Sequence, residues 1–131
     1  MTTLAIISLF VPLAIELWND RNGETAEEKV TDVAWRMVLA VVAGIVNFYM
    51  INKPIFDAMF LALAIHWLLF DYIITWWLIK KGVIKTHKSW FEYLGKFSVM
   101  DNFRIWVQIG PWGRFTVKAV VFITALVIFI V

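Results

Sequence analysis

The sequence predicts an all-α membrane protein, a four-transmembrane-helix bundle with a short amphipathic interfacial helix between the third and fourth spans. Hydrophobic residues make up 62% of the 131-residue chain and charged residues only 17%, whereas soluble domains hold about 45–50% and ~25%. The apolar residues gather into four stretches close to the ~20 residues that cross a bilayer. A chain of this length forms a single domain, whose core cannot bury so many apolar side chains.

The first two spans are separated by a polar loop. The first predicted span covers residues 2–18, and it lacks the basic n-region and the cleavage site of a signal peptide. The loop covers residues 19–33, and its sequence Thr25-Ala26-Glu27-Glu28 is typical of a capping box. We therefore expect a helix that starts near Ala26 and carries the second span, residues 34–51.

The third span follows after the tight turn that Asn52-Lys53-Pro54 predicts. It covers residues 55–79, and the helix continues to Lys81 with Gly82 as its C-terminal cap. The fourth span covers residues 112–131. In segment 80–111, two serine-based helix starts predict short helices, the second one with Val99, Phe103, Trp106 and Val107 on one face and Asp101, Arg104 and Gln108 on the other.

The distribution of basic residues predicts the orientation. Eleven of the twelve lysines and arginines lie in or beside segments 19–33 and 80–111, and only Lys53 lies opposite. The positive-inside rule then places both segments in the cytoplasm and both termini outside. The N-terminal tail has no Lys or Arg, so the count would be the same if residues 2–18 did not cross.

The two predicted cytoplasmic segments differ in charge. The first is acidic and the second basic, so we expect them to dock against each other. The basic segment also predicts contacts with anionic lipid headgroups, through Lys80, Lys81, Lys85, Lys88, Lys96 and Arg104. Nucleic-acid binding is disfavoured because the basic residues are spread along a membrane-bound segment.

Small and polar residues recur at helical spacing in every span, most clearly in the third, which has two such stripes. In lipid, helices associate through small residues and interhelical hydrogen bonds. The stripes therefore predict a compact bundle with a central third helix. They also predict self-association into a homo-oligomer.

Four charged residues lie at similar depth on the four spans and define a predicted buried charge layer of Glu16, Arg36, Asp71 and Lys118. An unpaired charge in hydrocarbon costs at least ~2.5–3.5 kcal/mol, so we expect the pairs Asp71–Lys118 and Glu16–Arg36. The pairs could fix helix register. Alternatively, they could belong to a proton or ion pathway that includes His66, Asp71 and Asn47, or Lys118 could simply snorkel.

His66 is predicted near the middle of the bilayer. We expect a neutral imidazole that is hydrogen-bonded across helices, with a proton relay as the alternative. No His-x-x-x-His spacing, phosphate loop or hydrolase motif is present, and there is no cysteine. Asp57 and Asp71 lie ~21 Å apart along one helix, too far to form a catalytic dyad. We therefore expect no catalytic residue, no cofactor and no metal.

Three short motifs carry a resemblance: Asp20-Arg-Asn-Gly-Glu24, Asp32-Val-Ala-Trp-Arg36 and Trp90-Phe-Glu-Tyr-Leu-Gly-Lys96. They resemble uncharacterised small multi-span membrane proteins of bacteriophages and mobile elements, a resemblance that implies no defined activity. Three function hypotheses follow. The chain could be a structural or assembly protein of a cell or virion membrane, an ion or proton channel or holin-like permeabiliser that uses Asp71, Lys118 and His66, or a lipid- or partner-docking protein.

Overall fold

A computed structural model describes residues 2–22, 26–93 and 103–131, without the side chains of residues 26–32. Within these ranges the chain is helical and contains no strand. The helices are α1 (Thr2–Asn19), α2 (Ala26–Ile51), α3 (Ile55–Lys81), α4 (Arg104–Gln108) and α5 (Gly110–Ile130). All but α4 are long and apolar enough to cross a membrane, so the predicted all-α bundle with four candidate spans is confirmed.

Helix α3 lies at the centre of the bundle. It packs against α1, α2 and α5, whereas α5 contacts only α3 and α4 within the described residues. Three alanines of α3 are buried at these contacts, where their short side chains let neighbouring helices approach closely: Ala58, Ala62 and Ala64. The small-residue stripes thus lie inside the bundle, as the sequence predicted.

The α2–α3 hairpin depends on a glycine. A Cβ atom on Gly44 would lie 2.7 Å from Ile55 Cγ2 and 2.8 Å from the Ile55 carbonyl oxygen, so any larger residue would push the two helices apart. The turn itself uses Asn52 in the left-handed conformation, with a φ of 55°. Asparagine adopts that conformation more readily than most residues.

The segment after α3 folds back along the bundle. Gly82 ends α3 in the left-handed conformation, and the backbone N–H of Val83 donates to the Leu78 carbonyl at 3.0 Å. Further on, the Phe91 ring stacks on Tyr72 with ring centroids 5.6 Å apart. Tyr72 precedes Lys81 by nine residues, or about 13 Å of helix rise. Residues 83–93 therefore fold back over the last turns of α3.

Helix α4 differs from the predicted amphipathic helix. Only Trp106 is buried, and its ring stacks on Trp67 with centroids 5.7 Å apart, whereas Phe103 and Val107 are exposed. A helix of five residues makes less than two turns, so it cannot present a continuous apolar stripe. Helix α2 begins at Ala26 as predicted, whereas the side chains of the predicted capping box and the second predicted serine-based helix start, at Ser98, lie outside the described residues.

Candidate functional site

Two ion pairs join the four candidate spans, and the structure brings together both pairs that the sequence predicted. In the first, Arg36 of α2 donates two hydrogen bonds to the carboxylate of Glu16 on α1. The Nη2–Oε1 distance is 2.6 Å and the Nε–Oε2 distance is 3.0 Å. Glu16 is only 5% exposed, so this two-point geometry is the main compensation for burying its charge.

His66 adds a third helix to this pair. Its Nε2 atom lies against Glu16 Oε2, and its ring stacks on Phe70 with centroids 4.9 Å apart. The Glu16 carboxylate therefore links α1 to α2 and to α3. Sequence reasoning predicted an interhelical bond for His66 but not its partner. The signal that could have found it is the run Ala58, Ala62, His66, which places the imidazole on a face that α1 can approach closely.

The second ion pair joins α3 to α5. Lys118 Nζ lies 3.2 Å from Asp71 Oδ2, but the two side chains differ in burial, with 5% of Lys118 and 42% of Asp71 exposed. The ammonium also lies over three rings, which sequence reasoning missed. The distances from Nζ to the ring centroids are 4.8 Å for Tyr72, 5.9 Å for Trp106 and 6.0 Å for Trp67, all within the range of cation–π attraction.

A separate polar cluster surrounds Asn47 on α2. Its Nδ2 atom donates to the carbonyls of Ala43 at 2.8 Å and Ala5 at 3.1 Å and lies 3.1 Å from Ser8 Oγ. The Oδ1 atom of Asn47 is buried and has no hydrogen-bond partner among the described residues. Asn47 therefore holds α1 against α2 through the hydrogen bonds of its Nδ2 group alone.

Of the residues of the predicted pathway, Asn47 lies apart from the Glu16–Arg36–His66 contact. Along α1, Ser8 of the Asn47 cluster precedes Glu16 by eight residues, or about 12 Å of rise. The α1 side chains between them on the buried face are apolar: Leu9, Pro12 and Leu13. In the described part of the chain, this apolar layer separates Asn47 from the ion pairs.

Arg114 is buried in α5, four residues before Lys118. Its guanidinium donates to the carbonyls of Trp106 at 3.4 Å, Val107 at 3.3 Å and Glu92 at 3.4 Å. Sequence reasoning counted only its charge. Because residues four apart share a helix face, its spacing from Lys118 was the available signal. Arg114 attaches both α4 and the turn at residues 89–92 to α5.

Residues 21 and 22, which follow α1, contact the end of α3. Lys81 Nζ lies 2.8 Å from Asn22 Oδ1, and Trp77 Nε1 donates to the Arg21 carbonyl at 3.0 Å. The acceptors of these two bonds are an amide oxygen and a backbone carbonyl, and docking between the acidic and the basic segment stays a prediction. At the opposite end of the bundle, Lys53 Nζ donates to the Ile130 carbonyl at 3.3 Å.

Most of the residues predicted to contact lipid headgroups are exposed. The exposed ones are Lys80, Lys81, Lys85, Lys88 and Arg104, and Lys96 lies outside the described residues. Over the described ranges, no group of three or more His, Asp or Glu residues is arranged to hold a metal ion.

No family model matches the chain, and no curated protein or solved structure is significantly similar to it. The fold and the site therefore define the class by themselves. This is an all-helical bundle protein with four helices able to cross a membrane, joined to one another by paired charges. The resemblance to small membrane proteins of phages and mobile elements stays a prediction.

Proposed function

We propose that this chain is a multi-pass membrane protein with a structural or assembly role, in which the ion pairs fix the register of the helices. The observation that carries the proposal is that the buried charged side chains of Glu16, Arg114 and Lys118 each meet an opposite charge or a carbonyl group on a neighbouring element. Buried charges that are paired between neighbouring helices stabilise the packing of those helices. A one-residue slip of a helix moves a side chain by 1.5 Å and 100°, which would break such a pair.

The proposed topology places residues 19–33 and 80–111 in the cytoplasm and both termini outside. Two contacts support it. Lys81 meets Asn22 at one end of the bundle, and Lys53 meets the last turn of α5 at the other. The starts of segments 19–33 and 80–111 therefore share one end of the bundle, as the proposed topology requires. Accessibility of single engineered cysteines at Asn22, His87 and Asn52 tests this topology, because the native chain has no cysteine.

We also propose that the protein self-associates. Half of the residues in the α3 span are buried but only 17% of those in the α5 span, because α5 has one long neighbour. A second copy packed along α5 would cover this surface. Light scattering in detergent and photobleaching in bilayers should give more than one chain per particle. A monomer by both methods would remove self-association and leave the register proposal intact.

The channel or holin-like hypothesis is the alternative, and it uses Asp71, Lys118 and His66. The buried apolar layer between Ser8 and Glu16 weighs against a continuous polar path through the α1–α2–α3 contact. The deciding experiment is a flux assay in sealed liposomes, with protons, potassium and a small dye as probes from pH 5 to pH 8. We expect no flux above that of empty liposomes. Flux that disappears in Asp71→Asn would replace the structural proposal with the channel.

The lipid-docking hypothesis rests on the exposed lysines Lys80, Lys85 and Lys88 beside the exposed Trp76. Lys80 Nζ lies 4.9 Å from the Trp76 ring, an arrangement suited to the headgroup layer. Binding of lipid to the purified protein, compared between nanodiscs with and without anionic lipid, tests this role. In the anionic nanodiscs, an annular fraction of anionic lipid equal to the bulk fraction, unchanged by Lys85→Ala with Lys88→Ala, would remove it.

A further inference from the structure

Lys118 has an environment that none of the other described lysines has. Lys53, Lys80 and Lys81 each lie over one aromatic ring, whereas the Lys118 ammonium lies over three and also meets a carboxylate. We propose that Trp67, Tyr72, Trp106 and Asp71 form a binding cage for a primary alkylammonium group, and that the Lys118 side chain is its resident ligand. This goes beyond register fixing, for which any opposite pair would serve.

The walls of the cage are held in place independently of the ligand. Trp67 and Trp106 stack on each other, with ring planes 20° apart, and Arg114 holds the α4 carbonyls that flank Trp106. Tyr72 packs against Phe91 and Phe115. Ring faces are electronegative, so rings with centroids 4.8–6.0 Å from one point favour a cation there. A primary ammonium can in addition donate to Asp71, which a quaternary ammonium cannot do.

One side of the cage, at Asp71, is exposed and the other is buried. The rings surround the buried ammonium, whereas the carboxylate at the other end of the pair is 42% exposed and therefore lies at the open side. A simple ion pair would tolerate exchange of its charges. In this cage, Asp71→Lys with Lys118→Asp would remove the ammonium that position 118 presents to the rings and replace it with a shorter anionic side chain. We therefore expect the double exchange to remain as destabilised as the worse of its two single variants.

Chemical rescue provides the direct test. Lys118→Ala removes the three methylenes and the ammonium that together correspond to n-propylammonium. We expect Lys118→Ala to lower the midpoint of thermal unfolding in detergent, and n-propylammonium chloride to recover about half of the loss or more at saturation, because a ligand that binds only the folded state stabilises it. Neutral n-propanol should recover nothing.

Lys81→Ala is the matched control. Lys81 also lies over a ring and makes a hydrogen bond to Asn22, but it is exposed and has only one ring. Propylammonium should leave the midpoint of Lys81→Ala and of the wild-type chain unchanged. Equal recovery with n-propanol, equal recovery in Lys81→Ala, or no recovery in a folded Lys118→Ala would each overturn the proposal.

A second measurement applies if Lys118→Ala does not fold. Tyr72 is replaced by phenylalanine and by phenylalanines that carry an increasing number of ring fluorines. Fluorination makes the electrostatic potential of the ring face less negative with little change of shape. The series is made in the wild-type and in the Lys118→Met background, where the side chain keeps all but one atom of its length and loses the charge. The unfolding midpoint should fall with fluorination only when Lys118 is present. The same trend in both backgrounds would overturn the proposal.

Discussion

Arg36 donates hydrogen bonds to both carboxylate oxygens of Glu16, at 2.6 and 3.0 Å, and thereby couples α1 to α2 inside the bundle. The carboxylate is 5% exposed and the guanidinium side chain 21%. The pair therefore lies at the edge of the buried region, with the acid as its inner member. Replacing Arg36 should therefore destabilise the fold more than replacing Glu16 does. Without Arg36, the Glu16 carboxylate stays buried without its guanidinium partner, whereas Arg36 without Glu16 is partly exposed.

Arg36→Met should destabilise the fold by about 3 kcal/mol, the lower end of the range for breaking a buried pair, since the His66 contact still faces Glu16. Unfolding in mixed micelles of increasing denaturing detergent measures the loss. Arg104→Met, at an exposed position, is the control and should lie within about 0.5 kcal/mol of wild type. Adding Glu16→Gln to Arg36→Met should recover part of the loss, and a further decrease would contradict the argument.

Gly44→Ala should separate α2 from the start of α3. The added Cβ would lie within 2.8 Å of two Ile55 atoms, one of them a backbone oxygen that cannot rotate away. Overpacking of this kind costs about 1–3 kcal/mol. The measurement is the same detergent unfolding curve, with the exposed Val42→Ala as a control on the same helix. A stability equal to or above that of Val42→Ala would show that the hairpin has room at this point.

The sequence alone predicts which residues form the ion pairs, but it does not predict which other residues surround each pair. Pairing of Glu16 with Arg36 and of Asp71 with Lys118 follows from opposite charge at equal depth, and helix rise gives depth reliably. Which neighbour His66 touches depends on how far α3 is rotated about its axis. The stripe of Ala58, Ala62 and His66 marks a face that another helix can approach closely, but which helix occupies that face is set by the packing of the whole bundle.

The rings around Lys118 were unpredictable for a second reason. Trp106 follows Trp67 by 39 positions in the sequence, and the two meet only because the segment after Gly82 folds back along α3. The sequence predicts an amphipathic interfacial helix between the third and fourth spans. The structure instead has the five-residue helix α4, which is held in place by the buried Trp106 ring and by the Arg114 guanidinium. Such contacts depend on the path of a connection, which hydrophobic periodicity does not report.

Asn47→Leu should weaken the α1–α2 contact by about 1–2 kcal/mol, the range for a polar side chain bonded between helices. It removes the donor to Ala5 and Ser8 on the other helix. Ser8→Ala is a useful comparison, because the Ser8 hydroxyl already bonds its own turn at Ala5 and should cost less. Detergent unfolding ranks the two, and a larger loss for Ser8→Ala would reverse this assignment.

Arg114→Gln should release the segment that folds over α3 while leaving the four long helices in place. The guanidinium serves three carbonyls on two segments, and glutamine cannot reach them all from a shorter side chain. Hydrogen–deuterium exchange should therefore rise at residues 89–93 and 103–109 and stay unchanged at residues 55–70. Arg114→Lys keeps the charge but not the fork, so its exchange should lie between those of wild type and Arg114→Gln. Uniformly faster exchange across α3 and α5 would instead make Arg114 a general stabilising residue of the bundle.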